Sequence, residues 1–229
     1  MERVRELRLE RPNERQEVFL RDRHKYIAFG GARGGGKSWA VRTKAVLLAL
    51  RYPGIRLLLV RRTYQELESN HIRILRPQLA QVAEYKATTR TFTFLNGSTL
   101  EFGYCACDGD LDRYQGAEYD VIFIDEATQF TWRAFQFIGG LLRGVNDFPK
   151  RMYITCNPGG VGHRWVKRLF IDREYISGRE NPEENENPDD YTFIPATVED
   201  NTALLKSSPG YLRMLSAMPE NLRKAYRYG

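Results

Sequence analysis

Residues Gly31 to Ser38 read GARGGGKS: a glycine, four free positions, then Gly-Lys-Ser. Upstream, Tyr26-Ile27-Ala28-Phe29 is a short apolar run suited to a buried strand. Downstream, Trp39 to Leu50 is free of glycine and rich in helix formers. Strand, loop and helix in that order is the setting in which this pattern cradles a polyphosphate. The backbone N–H groups of residues 33 to 38 must turn inward around the phosphates, and side chains on Gly31, Gly34, Gly35 and Gly36 would keep the phosphates out. Lys37 then brings positive charge to the outer phosphates, Ser38 offers a hydroxyl to Mg²⁺, and the helix that starts here adds the positive end of its dipole.

A second segment supplies the acids. Val121-Ile122-Phe123-Ile124 is a buried-type strand that runs into Asp125-Glu126. A strand ending in Asp sets that carboxylate at the sheet edge beside the phosphate loop, where with Ser38 it can hold the water shell of Mg²⁺. Glu126 reaches one residue further and can orient or deprotonate an attacking water. Small-molecule kinases of the same architecture transfer phosphoryl to a bound hydroxyl and need no such glutamate, so the pair favours hydrolysis of ATP. The next strand ends in Thr155-Cys156-Asn157-Pro158-Gly159-Gly160. In an open parallel sheet the ligand lies beyond the carboxyl ends of the strands, so Thr155 and Asn157 are expected near the γ-phosphate.

The 229 residues suffice for one large α/β domain with a small appendage. No apolar run approaches membrane-spanning length, and the start, MERVRELRLERPNERQE, is too charged for a secretory signal. A formal net charge of +6, spread along the chain, suits a polyanionic partner such as DNA. Cys105, Cys107 and Cys156 are too few for a four-cysteine zinc site and odd in number for a disulfide framework. Cys105 and Cys107 lie two apart on an expected strand and so are expected to fill one buried face. His24, His71 and His163 share no ligand spacing with them.

Along the chain, strands expected at Ile55–Val60, Asp120–Asp125 and Arg151–Cys156 alternate with helices at Thr63–Leu75, closed by Pro77, and Thr131–Leu142. Thr91–Leu95 and Ser98–Tyr104 flank Asn96-Gly97, a hairpin signal. Residues 178 to 190, GRENPEENENPDD, read as an exposed acidic loop that marks a boundary inside the chain, followed by a last strand at Tyr191–Ala196. Leu204–Tyr228 reads as short helices broken by Pro209 and Pro219. The fold class is therefore α/β: a mostly parallel sheet flanked by helices, with an added hairpin. Residues 1–196 are expected to form the ATPase core and residues 197–229 a small helical lid subdomain.

GARGGGKS, IFIDEA, TCNPGG and ATVEDN at residues 196 to 201 together resemble the ATPase domain of the large terminase subunit of tailed bacteriophages, from about Gln16 to the end of the chain. The resemblance implies a P-loop NTPase fold of the additional-strand (RecA-like) type and translocation of double-stranded DNA into a procapsid. It also implies a portal protein and a small terminase subunit as partners, in the cytoplasm of the infected host. A homo-oligomeric ring is expected on the procapsid, with a monomer left open for the domain in isolation.

By the same resemblance Lys37, Ser38 and Asp125 are nucleotide and metal residues, and Glu126 is the catalytic carboxylate. Thr155 to Asn157 couple hydrolysis to movement, and Gln16 reads the adenine edge. Arg113 resembles the arginine that some members insert into a neighbouring subunit as a finger. Arg33, which could serve in cis, and Arg143 stay open as alternatives. Members continue into a nuclease domain, which is expected to begin about where this sequence ends, so DNA cleavage is not expected of the chain. Two other readings remain at this stage: a helicase-like nucleic-acid-dependent ATPase, and a nucleotide-binding assembly module with negligible turnover.

Overall fold

A computed structural model describes residues 7–228. The first residues of the charged start, and Gly229, lie outside the described residues. The chain opens with helix α1 (Glu14–Arg21), then strand β1 (Tyr26–Gly31), the phosphate loop and helix α2 (Lys37–Arg51). Strand β2 (Arg56–Arg61) leads into α3 (Tyr64–Leu67), a wide π-turn at Glu68–Ile72 and α4 (Arg73–Leu79). Three strands follow, β3 (Ala83–Lys86), β4 (Thr91–Phe94) and β5 (Thr99–Tyr104), then β6 (Val121–Ile124), α5 (Trp132–Gly139) and β7 (Arg151–Cys156). Helix α6 (His163–Val166) and its π-turn extension, strand β8 (Tyr191–Ala196), and short helices α7 (Thr202–Ser207), α8 (Tyr211–Ser216) and α9 (Glu220–Arg223) complete the described chain.

The strands form one sheet in the order β3-β4-β5-β2-β6-β7-β1-β8. From β5 to β8 every pairing is parallel; β3 and β4 are added antiparallel at one edge. Strand β7 separates β1, which carries the phosphate loop, from β6, which carries the two acids. That inserted strand is what defines the additional-strand class of P-loop NTPases.

Both faces of the sheet are buried, which is why the central strands read as unbroken apolar runs. Leu57, Leu59, Phe123 and Tyr153 pack beneath α2 with Phe19 of α1. Leu58, Val60, Ile122 and Ile154 pack beneath α5 and α6 with Trp165 and Leu169. This alternation fixes which side chains reach the cleft at the carboxyl edge.

Three expectations need correction. Strand β5 stops at Tyr104 and the chain turns into a 3₁₀ helix capped at Cys107, so Cys105 is buried but Cys107 is exposed. Pro77 does not close its helix: α4 continues to Leu79 with the proline inside, where the missing N–H costs one bond near the helix end. Helix α5 is shorter than expected and stops at Gly139, where Gly139-Gly140 cannot hold a further turn.

Candidate active site

The phosphate loop folds as its glycines require. Gly31, Gly34 and Gly36 have φ of +121°, +81° and +76°, which L side chains rarely adopt. The loop is tied down from below and from the side. The side-chain amide of Gln16 donates to the Gly36 carbonyl at 3.1 Å, and its oxygen caps Asn13 N–H at 2.9 Å. Asn201, at the start of α7, donates to the Gly34 carbonyl at 2.6 Å. Ala32 N–H donates to the Ala196 carbonyl at the end of β8 at 2.9 Å. The cleft above the loop has a volume of about 730 Å³.

Register brings the chemistry together. Val60, Ile124 and Ile154 stand side by side across β2, β6 and β7. One residue further along are Arg61, Asp125 and Thr155, all on the α2 face. Thr155 donates its hydroxyl to Asp125 Oδ1 at 2.6 Å and accepts Glu126 N–H at 2.9 Å, so one side chain fixes both acids. Glu126 itself has φ +63°, a left-handed conformation uncommon for a non-glycine, which turns its carboxylate out of the strand and into the cleft.

Asp125 is fully buried, and its Oδ2 faces His71 Nε2 at 2.8 Å, Arg61 Nε at 3.4 Å and the Ser38 hydroxyl at 3.5 Å. Burial opposes its charge, yet His71, Arg61 and Thr155 outweigh that and hold its carboxyl far below the usual range. Glu126 goes the other way: burial and the neighbouring Asp125 raise its pKa against the pull of Lys37, Asn157 and Arg61. Burial lowers the pKa of Lys37, whose ammonium donates to the Ala32 carbonyl and to Asn157 Oδ1 at 2.8 Å. The other end of the same amide donates to both oxygens of Glu126, at 2.7 and 2.6 Å. Asn157 thus bridges the loop lysine and the glutamate.

A positive-φ cradle, a buried ammonium, a hydroxyl beside a buried ionised carboxylate and a second acid together suit a nucleoside triphosphate with its divalent cation. Comparison with known proteins agrees. A sequence model described as phage terminase large subunit matches residues 23–228. The chain belongs to that family.

Among solved structures, this terminase domain is similar to the large terminase of the thermophilic bacteriophage D6E in complex with ATP-γ-S. The TM-score is 0.69 at 19% identity, over 95% of this chain and 52% of that one. It is similar to the large terminase ATPase domain of Thermus phage P74-26, with a TM-score of 0.67 and 19% identity over 96% and 94% of the two chains. The large terminase of bacteriophage HK97 matches with a TM-score of 0.56 and 11% identity, over 93% of this chain and 46% of that one. The chain thus spans about half the length of the D6E terminase. No curated protein sequence matches it.

The terminase domain distributes the other sequence-selected residues unevenly. Lys37, Ser38, Asp125, Glu126, Thr155 and Asn157 converge. Gln16 supports the loop from behind, its amide oxygen and one N–H already engaged. Arg33 is exposed and stacks on Tyr226, 3.6 Å from the ring centroid, at the rim of the cleft. Arg113 is also exposed, held by Asp110 at 3.0 Å and lying over the Tyr104 ring, away from the cleft of its own chain. Arg143 donates to the Ala117 carbonyl near the amino end of β6, the wrong end of the strand to serve Glu126 in cis.

Two residues of the site escaped sequence reading. Arg61 follows the apolar run of β2, and its position at the carboxyl end of a parallel strand was the available signal. His71 shares a buried helix stripe with Leu67 and Leu75, where a histidine reads as ordinary core.

Proposed function

We propose that this domain hydrolyses ATP and uses the energy to drive double-stranded DNA into a procapsid. The bridge from Lys37 through Asn157 to Glu126 carries the reading, because it joins the residue that would feel the terminal phosphate to the one that would activate water. The backbone of residues 33 to 38 and the Lys37 ammonium hold the phosphates, with the α2 amino terminus behind them. Ser38 and Asp125 would hold Mg²⁺, which when bound supplies charge to the phosphate oxygens. Glu126, raised in pKa and turned into the cleft, aligns the attacking water and takes its proton.

Arg61 sits beside both acids, 3.4 Å from Asp125 and 4.0 Å from Glu126, and adds positive charge in cis. A phosphate that draws Lys37 away from Asn157 frees that amide and alters its hold on Glu126. Nucleotide state then passes along the loop from Pro158 to Gly162. The residues from 197 onward act as a lid, anchored to the phosphate loop through Asn201. A neighbouring subunit in a ring receives Arg113, and a portal protein and a small terminase subunit complete the assembly in the host cytoplasm. The DNA backbone meets a surface of net positive charge in contacts indifferent to sequence.

Nothing observed favours the helicase-like or non-hydrolysing alternatives. The deciding experiment is phosphate release by Glu126→Gln at high protein concentration. Turnover is expected to fall by roughly 10² to 10⁴, the range for loss of a general base, while ATP binding persists. Turnover equal to the parent would exclude Glu126 as the base.

A further inference from the structure

The metal carboxylate Asp125 has a partner that no part of the phosphate-loop pattern predicts. His71 is completely buried, and its Nε2 lies 2.8 Å from Asp125 Oδ2. It sits within the π-turn Glu68–Ile72, between α3 and α4. Turns of this kind spend an extra residue inside a helix and gather at functional sites. Leu67, Ile72, Leu75 and Leu79 of the same helical stretch are all buried, and the His71 ring has no exposed surface on which to move.

Hydrogen bonding settles the form of the ring. Ionised Asp125 can only accept, so Nε2 must carry the proton that is shared. Nδ1 is buried with no hydrogen-bond partner among the described residues. A bare lone pair there costs less than an N–H with nowhere to donate, so the neutral Nε2–H tautomer is the form that fits. Asp125 is then held at both oxygens, by Thr155 at Oδ1 and by His71 at Oδ2. Neither donor belongs to the phosphate loop.

We propose that His71 is a positioning residue: through its Nε2–H it fixes the rotation of the Asp125 carboxylate and thereby sets the affinity of the nucleotide site for its divalent cation. This rests on the reading that Asp125 and Ser38 serve Mg²⁺. It assigns to a core histidine of the helix after β2 a part in metal binding without contact to the metal. Removal of such a supporting hydrogen bond typically weakens metal binding 10- to 100-fold.

The test is calorimetric binding of ATP-γ-S at increasing Mg²⁺, and in EDTA, for the parent and for His71→Leu, His71→Asn and His71→Gln. The glutamine amide reaches about as far as Nε2, whereas the asparagine amide stops near the Nδ1 position. His71→Leu and His71→Asn are expected to need at least roughly tenfold more Mg²⁺ for half-saturation, with binding in EDTA unchanged. His71→Gln is expected to stay near the parent. Should His71→Leu fail to fold, the two amide variants decide. His71 loses this role if folded His71→Asn responds to Mg²⁺ like the parent, or if His71→Gln is as weak as His71→Asn.

A measurement on the parent alone serves as a second check. Nitrogen chemical shifts of the His71 ring must report a protonated Nε2 and a bare Nδ1; the opposite tautomer overturns the assignment. If ATP-γ-S binding by the parent ignores Mg²⁺ altogether, the underlying metal reading fails and the part given to His71 falls with it, an outcome distinct from one in which the parent responds to Mg²⁺ and the His71 variants respond alike.

Discussion

Arg61, Asp125 and Thr155 owe their meeting to parity. Each follows an apolar residue that faces α5 and α6, so each must face α2, where Ser38 and His71 wait. The same face holds Lys44, two turns into α2. Its ammonium is buried, donates to the Leu20 carbonyl, and lies 5.2 Å from the Tyr153 ring centroid. Burial, reinforced by Arg151, lowers its pKa to about 8. Unfolded chains keep that proton until about pH 10.4. Between these values the unfolded state binds more protons at this group, so its contribution to stability rises with pH. The Lys44 contribution is roughly 2 kcal/mol by pH 10, read as the difference between the parent and Lys44→Met in denaturant unfolding at pH 8, 9 and 10. The difference is needed because buried Cys105 and Cys156, their thiols pushed up to about 11 and about 12, act in the opposite sense in both proteins. Lys44→Met should lack this rise. Measurements stop at pH 10 because buried tyrosines, such as Tyr153 with its pKa pushed up to about 12, act in the opposite sense above it. Parallel curves for parent and variant would show that Lys44 is not desolvated as described.

Elements whose role is to be buried on both faces were legible from sequence, because burial leaves continuous apolar runs: β1, β2, β6 and β7 appear where those runs lie. The Asn96-Gly97 hairpin was legible for another reason, since Gly97 at φ +82° is a turn only certain residues make. Edge strand β3 was not legible. Its residues Ala83–Lys86 alternate between exposed and half-buried and carry no apolar signature. His71 and Arg61 were hidden because their partners lie 54 and 64 positions away in sequence, a distance that only the register of the folded sheet removes.

The loop from β7 to α6 shows what its glycines do. Gly159 and Gly160 both have positive φ, +98° and +83°. A Cβ on Gly160 would stand 2.3 Å from the Thr128 carbonyl, whereas one on Gly159 meets nothing within 4 Å. Gly159→Ala therefore costs the left-handed conformation alone, about 1–2 kcal/mol. Gly160→Ala adds a backbone collision and is expected to cost about 2–4 kcal/mol. Thermal unfolding of the two variants should rank them in that order. Equal losses would mean that the loop is not held against the turn that follows Glu126.

At the scale of the whole molecule, the distribution of arginines sets a division of labour. Arg61 lies beside the acids of its own chain, while Arg113 points into solvent from a 3₁₀ helix, steadied by Asp110 and Tyr104. A residue so placed can reach a terminal phosphate only in another subunit. If it does, isolated domains need one another to turn over, and specific activity should rise with protein concentration. Arg113→Ala should then lose steady-state hydrolysis by at least roughly 10³ while still binding ATP-γ-S. Mixing it with Glu126→Gln is the sharper test. Wherever an Arg113→Ala subunit offers its intact Glu126 to the intact Arg113 of a Glu126→Gln neighbour, one complete site forms, and turnover partly returns. Complementation requires that the two residues serve one site from different chains. If Arg113→Ala turns over like the parent and Arg61→Ala does not, the charge that meets the transition state comes from β2 of the same chain, and the ring is not needed for chemistry.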